Sequence, residues 1–430
     1  MKQIYSDYRL VFFIILTLSA FSNTTQAQTP VAILENASGD TVLSSFSDGG
    51  LLVPGEFGNG AIPAEGPGVR VMWYPAKAAF RAGAVSSDLW NEGKVGDYST
   101  AWGRDTEASG PYSTALGRDT EASGDYSTAL GNQTTAIGFS STALGARTAA
   151  SGDYSTAWGY NTATSGPYST AWGYNTAASG FYSTAWGRDT EASVSYSTAW
   201  GYNTTASGSF STAWGYNTAA SGQYSTAWGL EAEASGDYST ALGNQTIART
   251  PTSLSVGQYN ASNTTNDLTL FVVGNGFSSM NLSDAFRVDA SGNVYAAGSF
   301  NALSDHRLKE NIHPLEAHTL DKLTKIHPVR YTFKNQQTHP TGTQIGLIAQ
   351  EVQAQFPELV TTSSNGFLAV SYGHFAAVLL KGLQEQQIEL EEKDRQIQEL
   401  QAKVQRLEQF EARLARLEQL NHNALPTDAE

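Results

Sequence analysis

The sequence has no cysteine and only three methionines. Without cysteine no disulfide can form, so rigidity must come from hydrogen-bonded backbone and from association between chains. Acidic residues outnumber basic ones by 40 to 25, and the formal charge of -15 argues against nucleic acid or an anionic membrane as a partner. The seven histidines lack the paired spacing of a metal site, and no glycine-rich phosphate loop precedes a helix. We therefore expect no metal and no cofactor.

Long apolar runs are also missing, except near the start of the chain. Lys2 and Arg9 precede an apolar run over residues 10–21, and Thr25-Gln26-Ala27 offers a small-x-small cleavage site. This pattern predicts a signal peptide over residues 1–27 and an exported protein, extracellular or at the cell surface. The run is shorter than the ~20 residues that span a membrane. We expect no transmembrane anchor of the chain's own.

What the sequence has in abundance is glycine, 41 residues, arranged in a repeat. A fourteen-residue unit close to YSTAWGYNTAASGP is written eleven times over residues 98–249. A glycine falls in almost every heptad, Val194 being the exception, which excludes a helical coiled coil. The alternation of Y-S-T-A-W-G predicts one short strand, a turn at the glycine and the polar residues after it, and a second short strand in T-x-A-S-G. Stacked coils of this kind form a mainly β fold, with Ala, Ser and Thr filling a thin bore.

These repeats resemble the head repeats of trimeric autotransporter adhesins, the YadA-like family. The resemblance implies an elongated, left-handed parallel β-roll of eleven coils, packed as a homotrimer around a common axis.

The fifth position of the repeat carries a large apolar residue in every copy. An apolar strip of this length is a liability on a soluble monomer. We therefore expect the strip to be buried, either in the trimer seam or in the roll's own core. The alternative is an exposed strip that binds a glycan or a host or environmental surface. That binding strip would be formed by Trp158, Trp172, Trp186, Trp200, Trp214 and Trp228. Ice binding would need a flat threonine array, against which the bulky aromatic rows argue.

The segments on either side of the repeats read as β structure. Residues 28–97 form short alternating segments between glycine turns and are predicted to be an N-terminal cap. The repeat rhythm fails at Arg249-Thr250-Pro251, and we expect the proline to end the roll because it cannot donate to a ladder. Residues 250–303 are then a β neck, with a hairpin turn at residues 289–292.

The composition changes at Ser304 to a charged, mixed sequence. Its opening reads S-D-x-R-L-K-x-N-I, followed by apolar motifs over residues 345–352 and 356–360 and by Tyr372. These motifs look like the C-terminal intramolecular chaperone of phage endosialidases and tail spikes, from Ser304 to about Leu390. The resemblance implies a small α/β domain, here residues 304–374, that trimerises a β fibre and then cuts itself off.

The same resemblance assigns residues to a single-turnover serine peptidase without external substrate. It places the nucleophile at Ser304, the base at Lys309 and the cut between Leu303 and Ser304, with supporting roles for Asp305, Arg307 and Asn311. The chemistry is sound, because a lysine that burial or nearby cations deprotonate can activate a serine hydroxyl. A five-residue offset permits contact across one tight turn. The alternative is an uncleaved domain that stays as a permanent trimeric foot.

From residue 375 to 430 the pattern predicts a coiled coil followed by a polar tail. Apolar residues recur at mostly three-and-four spacing, among many charged ones. Gln386 and Lys393 interrupt the seam near its start. The favoured reading of the whole chain is an exported, trimeric, adhesin-like fibre that its C-terminal domain assembles.

Overall fold

The computed structural model describes residues 30–261, 268–336 and 338–422. The chain divides into two compact units, one ending at Ser299 and the other beginning at Phe300. The first unit contains the repeats and the second contains a small domain with a long helix. The predicted signal peptide over residues 1–27 and the end of the predicted polar tail lie outside the described residues.

Each repeat folds into one coil of a parallel β-roll, which confirms the predicted fold class. The longer strands of successive coils stack in one parallel sheet, and each residue lies opposite its equivalent in the next coil. These longer strands are Thr100–Arg104, Thr114–Arg118, Thr128–Asn132, Thr142–Ala146, Thr156–Tyr160, Thr170–Tyr174, Thr184–Arg188, Thr198–Tyr202, Thr212–Tyr216, Thr226–Leu230, Thr240–Asn244 and Leu254–Gln258. We call this sheet the long-strand sheet.

The shorter strands stack in a second parallel sheet on the other side of the bore, which we call the short-strand sheet. Its strands have two residues each: Glu107–Ala108, Glu121–Ala122, Thr135–Ala136, Ala149–Ala150, Ala163–Thr164, Ala177–Ala178, Glu191–Ala192, Thr205–Ala206, Ala219–Ala220, Glu233–Ala234 and Ile247–Ala248.

Two left-handed residues per coil turn the chain between the sheets. In the first coil these are Tyr98, with φ of 56°, and Asp105, with φ of 51°. Asp and Asn tolerate this conformation because their short side chains bond locally, whereas a tyrosine there is uncommon. The polar residues after the glycine turn the chain, as expected, but the expectation that the glycine itself does so is wrong. Gly103 lies inside the longer strand, one residue before its end.

The strand glycine is needed because neighbouring coils approach closely at this point. Gly173 has φ of 137°, and a Cβ built on it would lie 1.8 Å from the carbonyl oxygen of Gly187. The same clash, at 1.8 to 2.0 Å, recurs at the equivalent glycine of the other repeats. No residue with a side chain fits there without moving the next coil.

Small side chains fill the bore, as predicted. In the first coil Ser99, Ala101, Thr106 and Ala108 are almost completely buried, and their equivalents repeat the pattern. The tryptophans of the fifth position lie outside the bore with 39 to 61% of their surface exposed. The interpretation of this row as the roll's own core is therefore wrong, because two thin sheets leave room only for small residues between them.

The N-terminal cap contains two antiparallel sheets. Strands β1 (Pro30–Glu35), β2 (Thr41–Phe46) and β3 (Leu51–Leu52) form one of them. Strands β4 (Gly68–Tyr74) and β5 (Ala79–Val85) form a hairpin, separated by a 3₁₀ turn over Pro75–Lys77. Strand β5 pairs in parallel with the first longer strand of the roll, so the hairpin continues the long-strand sheet.

Two large side chains of the cap close the open end of the bore. The guanidinium of Arg81 is fully buried and donates to the carbonyl oxygens of Ser99 and Ala108 at 3.0 and 2.8 Å. The Trp90 indole is also fully buried and donates to the carbonyl oxygen of Thr106 at 2.8 Å. Burial lowers the pKa of Arg81 to about 10, so its guanidinium is still cationic at neutral pH. We call Arg81 and Trp90 together the plug. The Trp90 indole thus satisfies the Thr106 carbonyl, while the Ser99 and Ala108 carbonyls accept from the backbone N–H groups of Phe80 and Gly96 as well as from Arg81.

The roll continues one coil beyond the predicted end at residue 249. Leu254–Gln258 pairs in parallel with the strand of the previous coil, in the register of the repeats. Pro251 did not end the ladder because it occupies the same turn position as Pro111 and Pro167, where the backbone N–H is not part of the ladder. At Phe139, the equivalent residue of another coil, this N–H donates to a side chain instead.

Antiparallel strands follow the last coil. Thr269–Asn275 pairs in parallel with Leu254–Gln258 and antiparallel with Asp284–Asp289, which pairs in turn with Val294–Ala296. The predicted hairpin turn at residues 289–292 is present. The Asp289 carboxylate accepts hydrogen bonds from the backbone N–H groups of Ser291 and Asn293 at 2.9 and 3.0 Å.

The second unit has a small α/β core. Helices α1 (Thr319–Leu323) and α2 (Ala349–Gln355) accompany two antiparallel pairs, Val329–Tyr331 with Gln344–Gly346 and Val360–Thr362 with Leu368–Val370. Helix α3 (Tyr372–His422) follows and begins three residues before the predicted start at residue 375. Its first turns complete the core, in which the buried apolar residues are Ile326, Val352, Phe356, Leu359, Phe375 and Val378.

The glycine row yields a direct test. We expect Gly173→Ala to lower the free energy of unfolding by roughly 2 to 5 kcal/mol, because the new methyl group both clashes with the next coil and occupies a left-handed φ. Thermal unfolding followed by circular dichroism measures this. Gly93→Ala is the matched control, since a Cβ on Gly93 meets nothing within 4 Å. Equal melting temperatures for the two variants would contradict the close approach.

Candidate functional site

The predicted dyad lies on an exposed segment at the start of the second unit. The Asp305 carboxylate accepts a hydrogen bond from the backbone N–H of Arg307 at 2.8 Å and so begins a 3₁₀ turn over His306–Leu308. The turn closes with the N–H of Lys309 on the carbonyl oxygen of His306 at 3.1 Å. An Asp in this position is typical of a helix N-cap.

This one turn brings the two predicted catalytic residues into contact. The Lys309 amine donates to the Ser304 hydroxyl oxygen, with Nζ and Oγ 2.6 Å apart. The five-residue offset thus spans a single tight turn. Both side chains are exposed, and Leu303, on the other side of the predicted scissile bond, is 88% exposed.

Asp305 and Arg307 support the turn as a pair. The Arg307 guanidinium donates two hydrogen bonds to the Asp305 carboxylate, from Nη2 to Oδ2 at 2.7 Å and from Nε to Oδ1 at 3.1 Å. Hydrogen bonds from the Arg307 side chain and backbone lower the pKa of Asp305, and the same pairing raises the pKa of Arg307. Asn311 has a left-handed backbone, with φ of 52°, and bends the chain two residues beyond Lys309.

The other motif segments of this domain meet at one place. The Tyr372 hydroxyl accepts a hydrogen bond from the backbone N–H of Leu347 at 2.9 Å. A Cβ on Gly346 would lie 2.8 Å from that hydroxyl, so the glycine permits the approach. The start of the long helix is thereby joined to the strand at residues 344–346.

Helix α1 packs on the next turns of α3. A Cβ on Gly382 would lie 2.4 Å from a methyl carbon of Leu323, and the Glu385 carboxylate accepts from the backbone N–H of Leu320 at 2.8 Å. That bond, together with Lys381, lowers the pKa of Glu385. The small domain and the first turns of α3 therefore form one packed body.

The six consecutive tryptophans of the roll form a stacked row on the outer face of the long-strand sheet. Neighbouring rings have centroids 4.7 to 5.1 Å apart and planes within 3° of parallel. The faces of these rings therefore cover one another, and the edges point outward. A tyrosine row stacks in the same way at one turn of the coils, for example Tyr98, Tyr112 and Tyr126.

Two family models match the chain, and the second match begins at Ser304, where the composition changes. A model for the YadA head domain repeat matches nine windows between residues 95 and 246, of which the first eight overlap in sequence. A second model, described as the chaperone of endosialidase, matches residues 304–361. The chain carries YadA head repeats and an endosialidase-type chaperone domain. No curated protein matches the chain.

This combination confirms the predicted fusion and supports a trimeric adhesin or fibre with a C-terminal chaperone domain. The chaperone match ends at residue 361, earlier than the expected end near Leu390, although the core continues into α3. In the part of the chain that the structure describes, no helix is both long and apolar enough to cross a membrane. Within those same residues, no group of three or more metal-ligating side chains is placed to hold a metal ion.

The sequence did not lead us to predict that the Asp305 carboxylate begins the turn, or that Arg81 and Trp90 close the end of the bore. A signal existed for the first, because an Asp directly before a short turn is a common cap. For the second, only the position of the cations and aromatics just before the first coil pointed to a special role.

The Asp305 to Arg307 pairing predicts a pH dependence of the turn. The folded-state pKa of Asp305 lies below its ordinary value of 3.8, so the pairing contributes fully above that value and is lost as the pH falls through the lowered one. We expect the NMR signal of the Arg307 amide to titrate with a midpoint below 3.8. In Asp305→Asn this titration should vanish. A midpoint at or above the ordinary value would contradict the pairing.

Proposed function

We propose that this protein is an exported, homotrimeric, adhesin-like fibre whose C-terminal domain assembles the three chains and then cuts the bond between Leu303 and Ser304. The observation that carries the cleavage is the contact between the Ser304 hydroxyl and the Lys309 amine at 2.6 Å. The repeat and chaperone matches support the trimeric fibre. The signal-like N-terminal sequence supports export.

The proposed reaction uses only these two side chains, the scissile peptide and water. Lys309, once deprotonated, takes the Ser304 hydroxyl proton, and Oγ bonds to the carbonyl carbon of Leu303. The peptide C–N bond breaks as the Ser304 nitrogen takes that proton, which leaves an ester between the two residues. Water then hydrolyses the ester, giving a carboxylate on Leu303 and restoring the serine hydroxyl. Attack on the adjacent carbonyl is intramolecular, which removes most of the entropic cost of encounter.

The exposure of the dyad supports an order of events. A lysine acts as a base only where burial or nearby cations favour its neutral form. In a single chain Ser304 and Lys309 are both exposed. We therefore propose that the packing of three chains supplies the burial, so that cleavage follows assembly.

Helix α3 is the proposed trimerisation element. Beyond Glu385 its apolar residues are half to two-thirds exposed in the described chain, for example Leu390, Ile397 and Leu400. Such residues at three-and-four spacing are the core positions of a coiled coil. Gln386 and Lys393 are polar members of the same seam, and polar core residues specify register and oligomer state at some cost in stability.

The alternative role of the tryptophans as a glycan strip has weaker support. Sugar rings stack on exposed aromatic faces, whereas here each ring covers the face of the next. The head's contacts with a host or environmental surface are then a property of the other faces of the assembled roll.

Self-cleavage is tested by mass spectrometry of the full chain, expressed without other proteases. We expect wild type to yield a fragment beginning at Ser304, and Ser304→Ala and Lys309→Ala each to stay whole while still sedimenting as trimers. His306→Ala is the control, because it lies in the same turn but has no role in the dyad, and should be cut. A cut that persists in Ser304→Ala would assign the cleavage to another protease.

Assembly is tested by removing residues 391–430. This truncation keeps the first turns of α3, which complete the core of the small domain, and removes the rest of the predicted seam. We expect the truncated protein to sediment as monomers or misassembled species. A well-formed trimer without these residues would show that the roll aligns itself, and the helix would lose its proposed role.

A further inference from the structure

The first position of the repeat carries tyrosine in nine of the eleven copies, with Ser140 and Phe210 as the exceptions. We call these nine tyrosines the tyrosine row. They stack along the roll in three runs, from Tyr98 to Tyr126, from Tyr154 to Tyr196 and from Tyr224 to Tyr238. Neighbouring rings within a run have centroids 4.8 to 5.4 Å apart and planes within 13° of parallel.

The backbone does not explain why tyrosine occupies this position. Every member of the row has a left-handed φ, from 54 to 59°. The other left-handed turn of the coil, where Asp105 lies, carries mostly Asp and Asn, which tolerate that conformation. Stacking alone does not explain the hydroxyl, because Phe210 stacks on both of its neighbours without one. Within the described residues, no hydroxyl of the row has a hydrogen-bond partner in the protein. The phenol groups are therefore free for chemistry.

The row also has the geometry to join two phenols. Between 43 and 59% of each tyrosine is exposed, so a small oxidant reaches the rings, which can also turn about their last side-chain torsion. Desolvation, followed by the charges of Tyr98 and Tyr126, raises the pKa of Tyr112, as expected of phenol oxygens that lie near one another. Two phenoxyl radicals on adjacent coils react within one molecule, which removes most of the entropic cost of encounter.

We propose that the tyrosine row is a site of oxidative modification, where a peroxide joins tyrosines on adjacent coils of one chain. Each phenol loses one electron and its hydroxyl proton and becomes a phenoxyl radical. A carbon–carbon bond forms between the ring carbons next to the two oxygens, and the hydrogens on those carbons move to the oxygens. The two electrons and two protons reduce hydrogen peroxide to water. A chain without cysteine thus gains covalent links between its coils.

The test begins with the purified full chain, treated with hydrogen peroxide and a peroxidase, then denatured and digested with trypsin. Tyr98, Tyr112 and Tyr126 lie on three separate tryptic peptides, over residues 95–104, 105–118 and 119–147. We expect mass spectrometry to find the first peptide linked to the second and the second to the third. Each linked pair should lack two hydrogen atoms. On a denaturing gel the undigested oxidised protein should show no dimers.

Two internal controls come from the same digest. Ser140 interrupts the row between Tyr126 and Tyr154, so the peptides over residues 119–147 and 148–188 should not be linked to each other. Tyr295 is 45% exposed, like the row, but its ring lies against the guanidinium of Arg287. The peptide that contains Tyr295 should therefore stay unlinked.

Tyr112→Phe removes one phenol and keeps the ring, as Phe210 does in its own coil. We expect this variant to lose both links of the first run. The link between Tyr182 and Tyr196, which joins the peptides over residues 148–188 and 189–249, should remain.

A second variant restores the row where it is interrupted. Phe139→Asp combined with Ser140→Tyr copies the pair Asp125-Tyr126 into the interrupted coil. We expect a new link to Tyr154, which joins the peptides over residues 119–147 and 148–188.

Each contrary outcome removes a definite part of the proposal. Unlinked peptides in oxidised wild type, or links formed equally by Tyr295, would overturn the modification site. A double variant that gains no link would overturn stacking as its cause, and dimers on the denaturing gel would overturn the placement of the bonds within one chain. The experiment supplies the oxidant and follows bonds upstream of residue 249, so its result does not depend on the proposed export or self-cleavage.

Discussion

The close parallel pairing of each coil with the next is the constraint on which the first unit depends. Backbone groups bond across the coil spacing at every level, and the carbonyl of one strand glycine occupies the space where a Cβ of the preceding coil would stand. This spacing dictates a small residue in the bore, a glycine in the strand and a left-handed residue at each turn. It also brings outward side chains of equal position into stacked rows, because residues at one position repeat at the same spacing as the strands.

Much of this could be predicted from the sequence, because a residue that did not suit its position in the coil would be unsuitable in every coil. The repeated unit therefore shows clearly which residue types each position accepts. The period, the two strands and the small bore residues followed from the alternation around Ala101 and Thr106. The turns did not, since a tyrosine in the left-handed region runs against its ordinary preference and only the closed coil requires it. The expectation for Pro251 was wrong for a related reason. A proline ends a ladder only where the backbone N–H at its position takes part in the ladder, and that depends on the geometry of the coil and not on the residue.

At the candidate site, the contact of Ser304 with Lys309 was predictable because it is local. A single turn, which begins at Asp305, brings the two side chains together. The environment that decides the reactivity of the lysine was not, because it depends on what covers an exposed segment. The same limit applies to the tryptophans. Sequence shows that they are large and regular, but only the register of Val71, Ala82 and Trp102 shows that the row extends onto strands outside the repeats.

The plug of Arg81 and Trp90 has a consequence for how such a head changes in evolution. It satisfies the first coil, and every later coil is satisfied by the one before it, so the capping contacts do not depend on how many coils follow. Gain or loss of one whole unit of fourteen residues leaves the cap contacts and the pattern of the backbone ladder as they were. The reach of the head is therefore adjustable in steps of one coil by duplication or deletion within the gene, with no redesign of either end.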